Sequence, residues 1–537
     1  MAGGFRSTGP DPKRWVALAG ICTAAGLVWL AFADEGVALP TISQDLRISL
    51  TDLQWVNNSF SLACGALVLA AGRISDLYGR RRVLLLGVAV FGLFSLLTAF
   101  LSGLVGLVTG RALMGVGAAM ILPATLALIP PIFPREEQPK AFGTWMAVAW
   151  VGQAAGPAVG GALTDLLGWR SLFWIMAPLA AVAYFVIRRY TPESRDENAA
   201  RGIDVTGLAT SALAAFCLLY AFTDGQTAGF GSPLIIGLLV AAVVLGIVFV
   251  LVERRLRNPL VDLSLFRARD FDGALTANLV MNIVFGGISY LFALYLQDVR
   301  GYSPVEAGLL LFPSTVTILA LNPVGSRAGT RRGPRIVVVW GLLLLGAGTI
   351  IAGILSPTSS YLVLLVGLLV LGAGLGLLSV PVSDTAVAGP PEELAGTASG
   401  LFKMSSMLGG ALGVAVLSAL AKAIGTHRAT AEARGAGLTD QQIDQLGNSL
   451  SKSDNATSVL GQLPADVRRQ VVDAYQHAEA AGVAGAVKLA GVLGVVAALA
   501  LLWIWPRSRG TAGSSAPREP AQQMKTSTSG PAVPGPT

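Results

Sequence analysis

The chain is poor in charge, histidine and cysteine. Only 13% of its 537 residues are Asp, Glu, Lys or Arg, about half the share of a soluble domain. That deficit excludes an ordinary cytosolic enzyme. The 53% hydrophobic content excludes a disordered chain, which needs low hydrophobicity and high net charge. Two histidines and no CxxC pair leave no metal cluster to expect. The three cysteines, Cys22, Cys64 and Cys217, lie inside apolar runs, so no disulfide framework is implied. No nucleophile–base pair or phosphate-binding glycine loop stands out, so neither enzymatic activity nor a cofactor is expected. A net charge of +7 would suit nucleic acid. The basic residues stand in short runs between apolar segments, however, which argues against that partner.

What the chain does have is long apolar runs and 64 glycines, with a mean hydropathy of +0.65. A membrane span needs about 20 mostly apolar residues. Fourteen windows qualify: 15–39, 53–74, 82–102, 105–131, 141–164, 169–189, 204–223, 232–253, 271–296, 303–324, 335–355, 360–387, 396–423 and 482–505. Lys and Arg concentrate at the N-terminus, in alternate connections and in the tail, whereas the short connections on the opposite side hold three in total, Arg47, Arg170 and Arg300. By the positive-inside rule both termini are cytoplasmic. The long connection 424–481 then lies outside. Thr439 and Gln442 have capping-box spacing there and Pro464 suits a first helical turn, so a small helical outer segment is expected. The tail is rich in Pro, Ser, Gly and Thr, a disordered composition.

Three constellations carry mechanism. The loop after the second span reads Gly72-Arg73-Ile74-Ser75-Asp76-Leu77-Tyr78-Gly79-Arg80-Arg81-Arg82. Gly72 and Gly79 permit tight turning and close approach. Asp76 can cap a helix N-terminus or pair with an arginine such as Arg80. Such a latch would hold the inner side shut and break on opening; the arginines alone would also serve topology. The fifth span carries Gly143, Gly152, Gly156, Pro157, Gly160 and Gly161. Glycines at these offsets make a strip for close helix approach, and Pro157 removes a backbone hydrogen bond and kinks the span. Plain helix packing is the alternative. Arg111 lies inside the fourth apolar run. A buried charge there costs roughly 2.5–3.5 kcal/mol on insertion scales and faces a cavity or a partner, unless it snorkels to an interface.

These constellations resemble the signature motifs of the major facilitator superfamily. The loop matches its span 2–3 motif, Arg111 its span 4 motif, and 143–161 the antiporter motif of exporters. Other stretches resemble the fourteen-span drug:proton antiporter branch (QacA/EmrB-like). They include Gly168-Trp169-Arg170-Ser171-Leu172-Phe173, Pro259-Leu260-Val261-Asp262-Leu263-Ser264-Leu265-Phe266 and Ala395-Gly396-Thr397-Ala398-Ser399-Gly400. The resemblance implies an all-α polytopic membrane protein of the major facilitator fold, with fourteen transmembrane helices in two six-helix bundles plus two inserted helices. The expected parts are an N-terminus 1–14, an N-terminal bundle 15–190, inserted spans within 191–255, a C-terminal bundle 256–505 and a tail 506–537. A substrate cavity would lie between the halves near the midplane.

The chain departs from the branch in charge placement. The usual span 1 acid position is Ala31 and the usual Asn position is Gly36, with Asp34 and Glu35 between them. Asp34 is three residues after position 31, so it lies near the same helix face, one turn along. Asp34 and Glu35 are therefore the proton-carrier candidates, with Arg111 as coupling partner; a structural pairing with Arg111 or Lys403 is the alternative. Members often carry Arg-Gln where this chain has Ser406-Met407, and Lys403 stands three residues earlier. Lys403 can receive an anionic substrate group or pair with an acid. Asn57, Trp150, Gln153, Asn282 and Tyr290 are candidate cavity liners, with Phe285 and Phe402 as further walls. A second copy of the loop motif, near Arg327–Arg335, has Thr330 where the acid belongs.

The resulting expectation is a monomeric plasma-membrane antiporter that exports small amphipathic drugs, antibiotics or related metabolites in exchange for protons. Export of a dedicated metabolite or lipid is an alternative within transport. A non-transporting membrane sensor or assembly partner is an alternative outside it.

Overall fold

The computed structural model describes residues 12–33, 35–48, 50–195, 204–256, 261, 263–435 and 465–505. The expectations for residues 1–11, for the tail 506–537, and for Thr439, Gln442 and Pro464 lie outside these. In hydrocarbon a spanning backbone must satisfy its own hydrogen bonds, which helices do. Among the described residues the chain is helical throughout and contains no strand. We number the long helices α1 Pro12–Ala31, α2 Glu35–Leu46, α3 Leu50–Tyr78, α4 Arg80–Phe100, α5 Leu104–Ala127, α6 Gln138–Leu167, α7 Met176–Tyr190, α8 Val205–Ala228, α9 Pro233–Glu253, α10 Arg269–Leu294, α11 Pro304–Arg332, α12 Pro334–Ala352, α13 Tyr361–Ala388, α14 Ala395–Gly435 and α15 Ala465–Ile504. Thirteen segments among the described residues are long and apolar enough to cross a membrane. The remaining expected span is α6, a helix of 30 residues.

The same packing scheme occurs twice. In the first half α5 packs on α3 and α4, while α7 packs on α1 and α4. In the second, α13 packs on α11 and α12, while α15 packs on α10 and α12. The closest approaches repeat too. A Cβ at Gly117 would lie 2.8 Å from the Gly87 carbonyl oxygen, and one at Gly374 would lie 2.5 Å from that of Gly341. Lipid supplies no hydrophobic drive between helices, so such backbone-to-backbone packing carries the association. The inserted pair is α8 and α9. α8 lies against α3 and α14, one helix from each half, and α9 packs on α8 with Val240, Val243, Val244 and Ile247 exposed.

One expectation needs correction. The first span is not one helix over 15–39. α1 ends at Ala31, Phe32 and Ala33 form a turn, and α2 starts at Glu35. The sequence holds the reason, because Asp34 followed by Glu35 is a helix-start signal. The argument that Asp34 keeps the helical face of position 31 therefore fails. Asp34 and the side chain of Glu35 lie outside the described residues. The flanks of the connection 424–481 are helical, because α14 runs on to Gly435 and α15 begins at Ala465. α14 has 41 residues and α15 has 40, each far more than the ~20 that span a bilayer. They pair closely, with the Gly482 position against the Ala421 carbonyl oxygen.

Candidate functional site

The two halves meet where α3 crosses α14. A Cβ at Gly72 would lie 2.4 Å from the Gly396 carbonyl oxygen, so only glycine permits this crossing. Beside it Asp76 is 0% exposed. Its Oδ1 accepts from Arg80 Nε at 3.0 Å, from Arg80 Nη2 at 2.8 Å and from the Gly396 N–H at 2.8 Å. Its Oδ2 accepts from the Thr397 N–H at 2.7 Å and the Thr397 hydroxyl at 3.0 Å. Gly396 and Thr397 stand in the first turn of α14, where N–H groups have no intrahelical acceptor. Asp76 thus caps a helix of the opposite half at its positive dipole end. Hydrogen bonds to a charged group contribute about 1.5–3 kcal/mol each. Arg80 extends the junction, donating to Ser194 Oγ at 2.8 Å and to the Glu393 carbonyl at 3.3 Å. Gly79 supplies the left-handed φ of +111° between α3 and α4.

The break after α1 builds the second part of the site. Gly152 and Gly156 of α6 face α1: a Cβ at Gly152 would lie 3.2 Å from Trp29 Cβ, and one at Gly156 would lie 2.3 Å from Ala33 Cβ. The glycine strip therefore holds the broken end of α1 against α6. The break frees carbonyls, and Arg111 Nη2 donates to that of Ala31 at 2.9 Å. The Arg111 guanidinium lies 4.4 Å from the Phe60 ring centroid. From there rings run onward, Phe60 to Phe32 at 4.7 Å and Phe32 to Trp29 at 5.6 Å. The series ends at Lys403. Its ammonium sits 5.1 Å from the Trp29 ring, 4.3 Å from Trp145 and 5.3 Å from Phe402. Lys403 is 4% exposed. Among the described residues it makes no hydrogen bond or ion pair, and its titratable neighbour is Cys64 of α3, not a carboxylate.

On the other side of α14, Asn278 of α10 donates to the Phe402 carbonyl and to Ser405 Oγ and Ser406 Oγ at 2.7–2.8 Å. Asn282 donates to the Asn278 carbonyl at 2.7 Å. Lys403 and Ser406 therefore serve different neighbours, although three residues apart on one helix. Phe285, a turn beyond Asn282, meets Trp150 of α6 edge-on at 5.0 Å. Trp29 Nε1, Trp150 Nε1 and Asn57 Oδ1 are buried without a hydrogen-bond partner.

The structure thus brings Arg111 to the end of α1 and Lys403 to Trp29 and Trp145 of α1 and α6, whereas Asn282 bonds within α10 and Trp150 meets Phe285 of α10. It does not bring Tyr290 to them: that residue is 41% exposed, and its charged neighbours are Asp298 and Glu479. Gln153 is half-buried on α6. Gly160 and Gly161 continue that helix, and the side chain of Pro157 lies outside the described residues. Trp29, Phe32, Phe60, Trp145 and Thr397 were missed by sequence reasoning. Thr397 was legible in principle, at the start of a helix-opening stretch; for the aromatic residues no local signal existed.

A helical bundle of two like halves, joined by a latch at one end and holding buried cations between them, is the architecture of a secondary transporter. The model of the Major Facilitator Superfamily matches residues 16–414, and this chain belongs to that family. It is 35% identical over 404 residues to the multidrug resistance protein Stp of Mycobacterium tuberculosis, covering 74% of this chain and 75% of that protein. It is 31% identical over 507 residues to the multidrug efflux pump LfrA of Mycolicibacterium smegmatis, covering 93% and 98%. Among solved structures it resembles the human organic anion transporter MFSD10, with a TM-score of 0.59 at 14% identity over 92% of this chain and all of that one, which bears on the fold alone.

Proposed function

We propose that the chain is a proton-coupled antiporter of the plasma membrane that exports amphipathic drugs, antibiotics or related metabolites from the cytoplasm by alternating access. The Asp76 junction carries the alternating-access reading. It ties α3 of one half to the first turn of α14 in the other, through bonds that any rocking of the halves must break. The export reading draws on relatives named as a multidrug resistance protein and a multidrug efflux pump. The positive-inside rule puts both termini and the Asp76 end in the cytoplasm. Asp76, Arg80, Gly72 and Gly79 then form the inner gate, and Gly152, Gly156, Pro157, Gly160 and Gly161 the surface on which α1 rides.

Proton coupling falls to Asp34 and Glu35, which in sequence follow the carbonyl that Arg111 holds. Substrate meets Asn57, Trp150, Gln153, Asn282 and Lys403, with Tyr290 nearer the outer mouth. The test is substrate-dependent proton release in oriented proteoliposomes under an imposed pH gradient. The expected result is a flux with at least one lipophilic compound, abolished in the Asp34→Asn, Glu35→Gln double variant. Undiminished proton-coupled transport in that variant removes both acids from the mechanism.

A further inference from the structure

We infer that Lys403 is the recognition point for an anionic group, and that the preferred substrate is a flat aromatic acid rather than a lipophilic cation. The inference deepens the export reading and rests on it for the site's purpose. Its first observation is the state of the ammonium. Lys403 is buried, with the faces of Trp29, Trp145 and Phe402 within 5.3 Å and no hydrogen bond or ion pair among the described residues. Ring quadrupoles compensate a cation only in part, and a buried charge otherwise seeks an opposite charge. The second observation is independent. Trp29 Nε1 and Trp150 Nε1 are buried without acceptors, and an indole N–H can only donate. Trp150 stands about 7.5 Å along α6 from Trp145 and about 140° around the helix, so Trp29 is the indole donor beside Lys403. Beside Lys403 the unfilled capacity is thus the positive charge and the Trp29 donor, lined by indole faces, with Asn57 Oδ1 as an unpaired acceptor on α3. A carboxylate or phenolate oxygen on a planar ring system complements it. A cationic drug meets like charge at Lys403.

The test is binding to purified protein in nanodiscs, read by tryptophan quenching with no gradient present. The probes share one ring system: 1-pyrenebutyrate, its methyl ester, and 4-(1-pyrenyl)butyl-trimethylammonium. Wild type is expected to bind the anion about tenfold or more tighter than the ester, and the ammonium weakest. Lys403→Gln should reduce the anion to the affinity of the ester and leave the ester unchanged. Lys403→Arg should keep the preference. Lys403→Met serves should glutamine not fold. An anion bound no tighter than its ester, or a preference that survives loss of the charge, overturns the inference. Because no transport is involved, a protein that shows the preference but does not pump refutes the export reading and leaves this one standing. Pumping without the preference does the reverse.

Discussion

Two arginine-rich turns occupy equivalent places in the two halves. The first joins α3 to α4 through Gly79 at φ +111°, the second joins α11 to α12 through Gly333 at φ +84°. Backbone and basic charge are alike, and the outcomes differ. Asp76, three residues before Gly79, is buried and caps the opposite half. Thr330, three residues before Gly333, is exposed, and its hydroxyl donates to the Arg327 carbonyl of its own helix at 2.9 Å. Arg335 donates to the Leu502 carbonyl within its own half. Arginines in a turn therefore do not by themselves bridge the halves; the bridge has an acid that reaches a foreign helix start. The acid-capped bridge is one-sided, and on the proposed alternating-access reading Asp76 carries most of the cost of opening that end.

Removing the acid should have the largest effect. Asp76→Ala leaves the Arg80 guanidinium and the first N–H groups of α14 buried without their acceptor, at a cost of about 3–5 kcal/mol. Ser399 is buried just inside the junction, its hydroxyl bonded to the Pro123 carbonyl at 2.9 Å. In a background without native cysteines, Ser399→Cys should be labelled by a small maleimide about a hundredfold faster or more once Asp76 is gone. Asp76→Asn should fall between, since an amide oxygen still accepts. Gly396→Ala should act in the same direction without touching charge, because its methyl would lie 2.3 Å from Asp76 Oδ1. Unchanged labelling in all of these would mean the junction does not hold the end shut.

The reciprocal substitution sharpens the contrast. Thr330→Asp restores the motif's acid in the second turn, but on an exposed position. An ion pair with the neighbouring arginines there contributes about 0–1 kcal/mol. Labelling of Ser399→Cys and the thermal midpoint should both stay within error of the parent. A large rise in midpoint would show that the acid alone makes the latch and that burial is secondary.

Much of this was legible in the sequence, and the limits were physical. Apolar run length located the spans, because bilayer thickness fixes it. The ordered Gly72, Asp76, Gly79 spacing pointed to the latch, since cap, turn and close approach each demand a residue type. The sequence could not show which helix start Asp76 would cap, because Gly396 is 320 residues away. The break after Ala31 was misread because hydropathy continues through Phe32 and Ala33, although Asp34-Glu35 announces a new helix. Likewise the apolar windows ended α14 and α15 at the membrane, whereas the helices continue in polar sequence. The ring series from Arg111 to Lys403 draws on α1, α3, α5, α6 and α14, so no local pattern encodes it.

A second, exposed Asp–Arg pair isolates what burial contributes. Asp45 of α2 accepts from Trp169 Nε1 and from Arg170 Nη1, each at 2.9 Å, but both charged side chains are more than 40% exposed. The Trp169 hydrogen bond, followed by that of Arg170, holds the Asp45 carboxyl below its ordinary value of 3.8. A carboxyl whose pKa is lowered by folding stabilises the folded state above the ordinary value, and loses that contribution as pH falls through the lowered one. The difference in thermal midpoint between wild type and Asp45→Asn should therefore be small, constant from neutral pH down to about 4, and vanish below that. Trp169 emission should shift over the same acid range in wild type and stay flat in the variant. A difference as large as that of Asp76→Ala would mean that an exposed pair within one half contributes as much as a buried one between halves, and the distinction between the turns would then rest on placement alone.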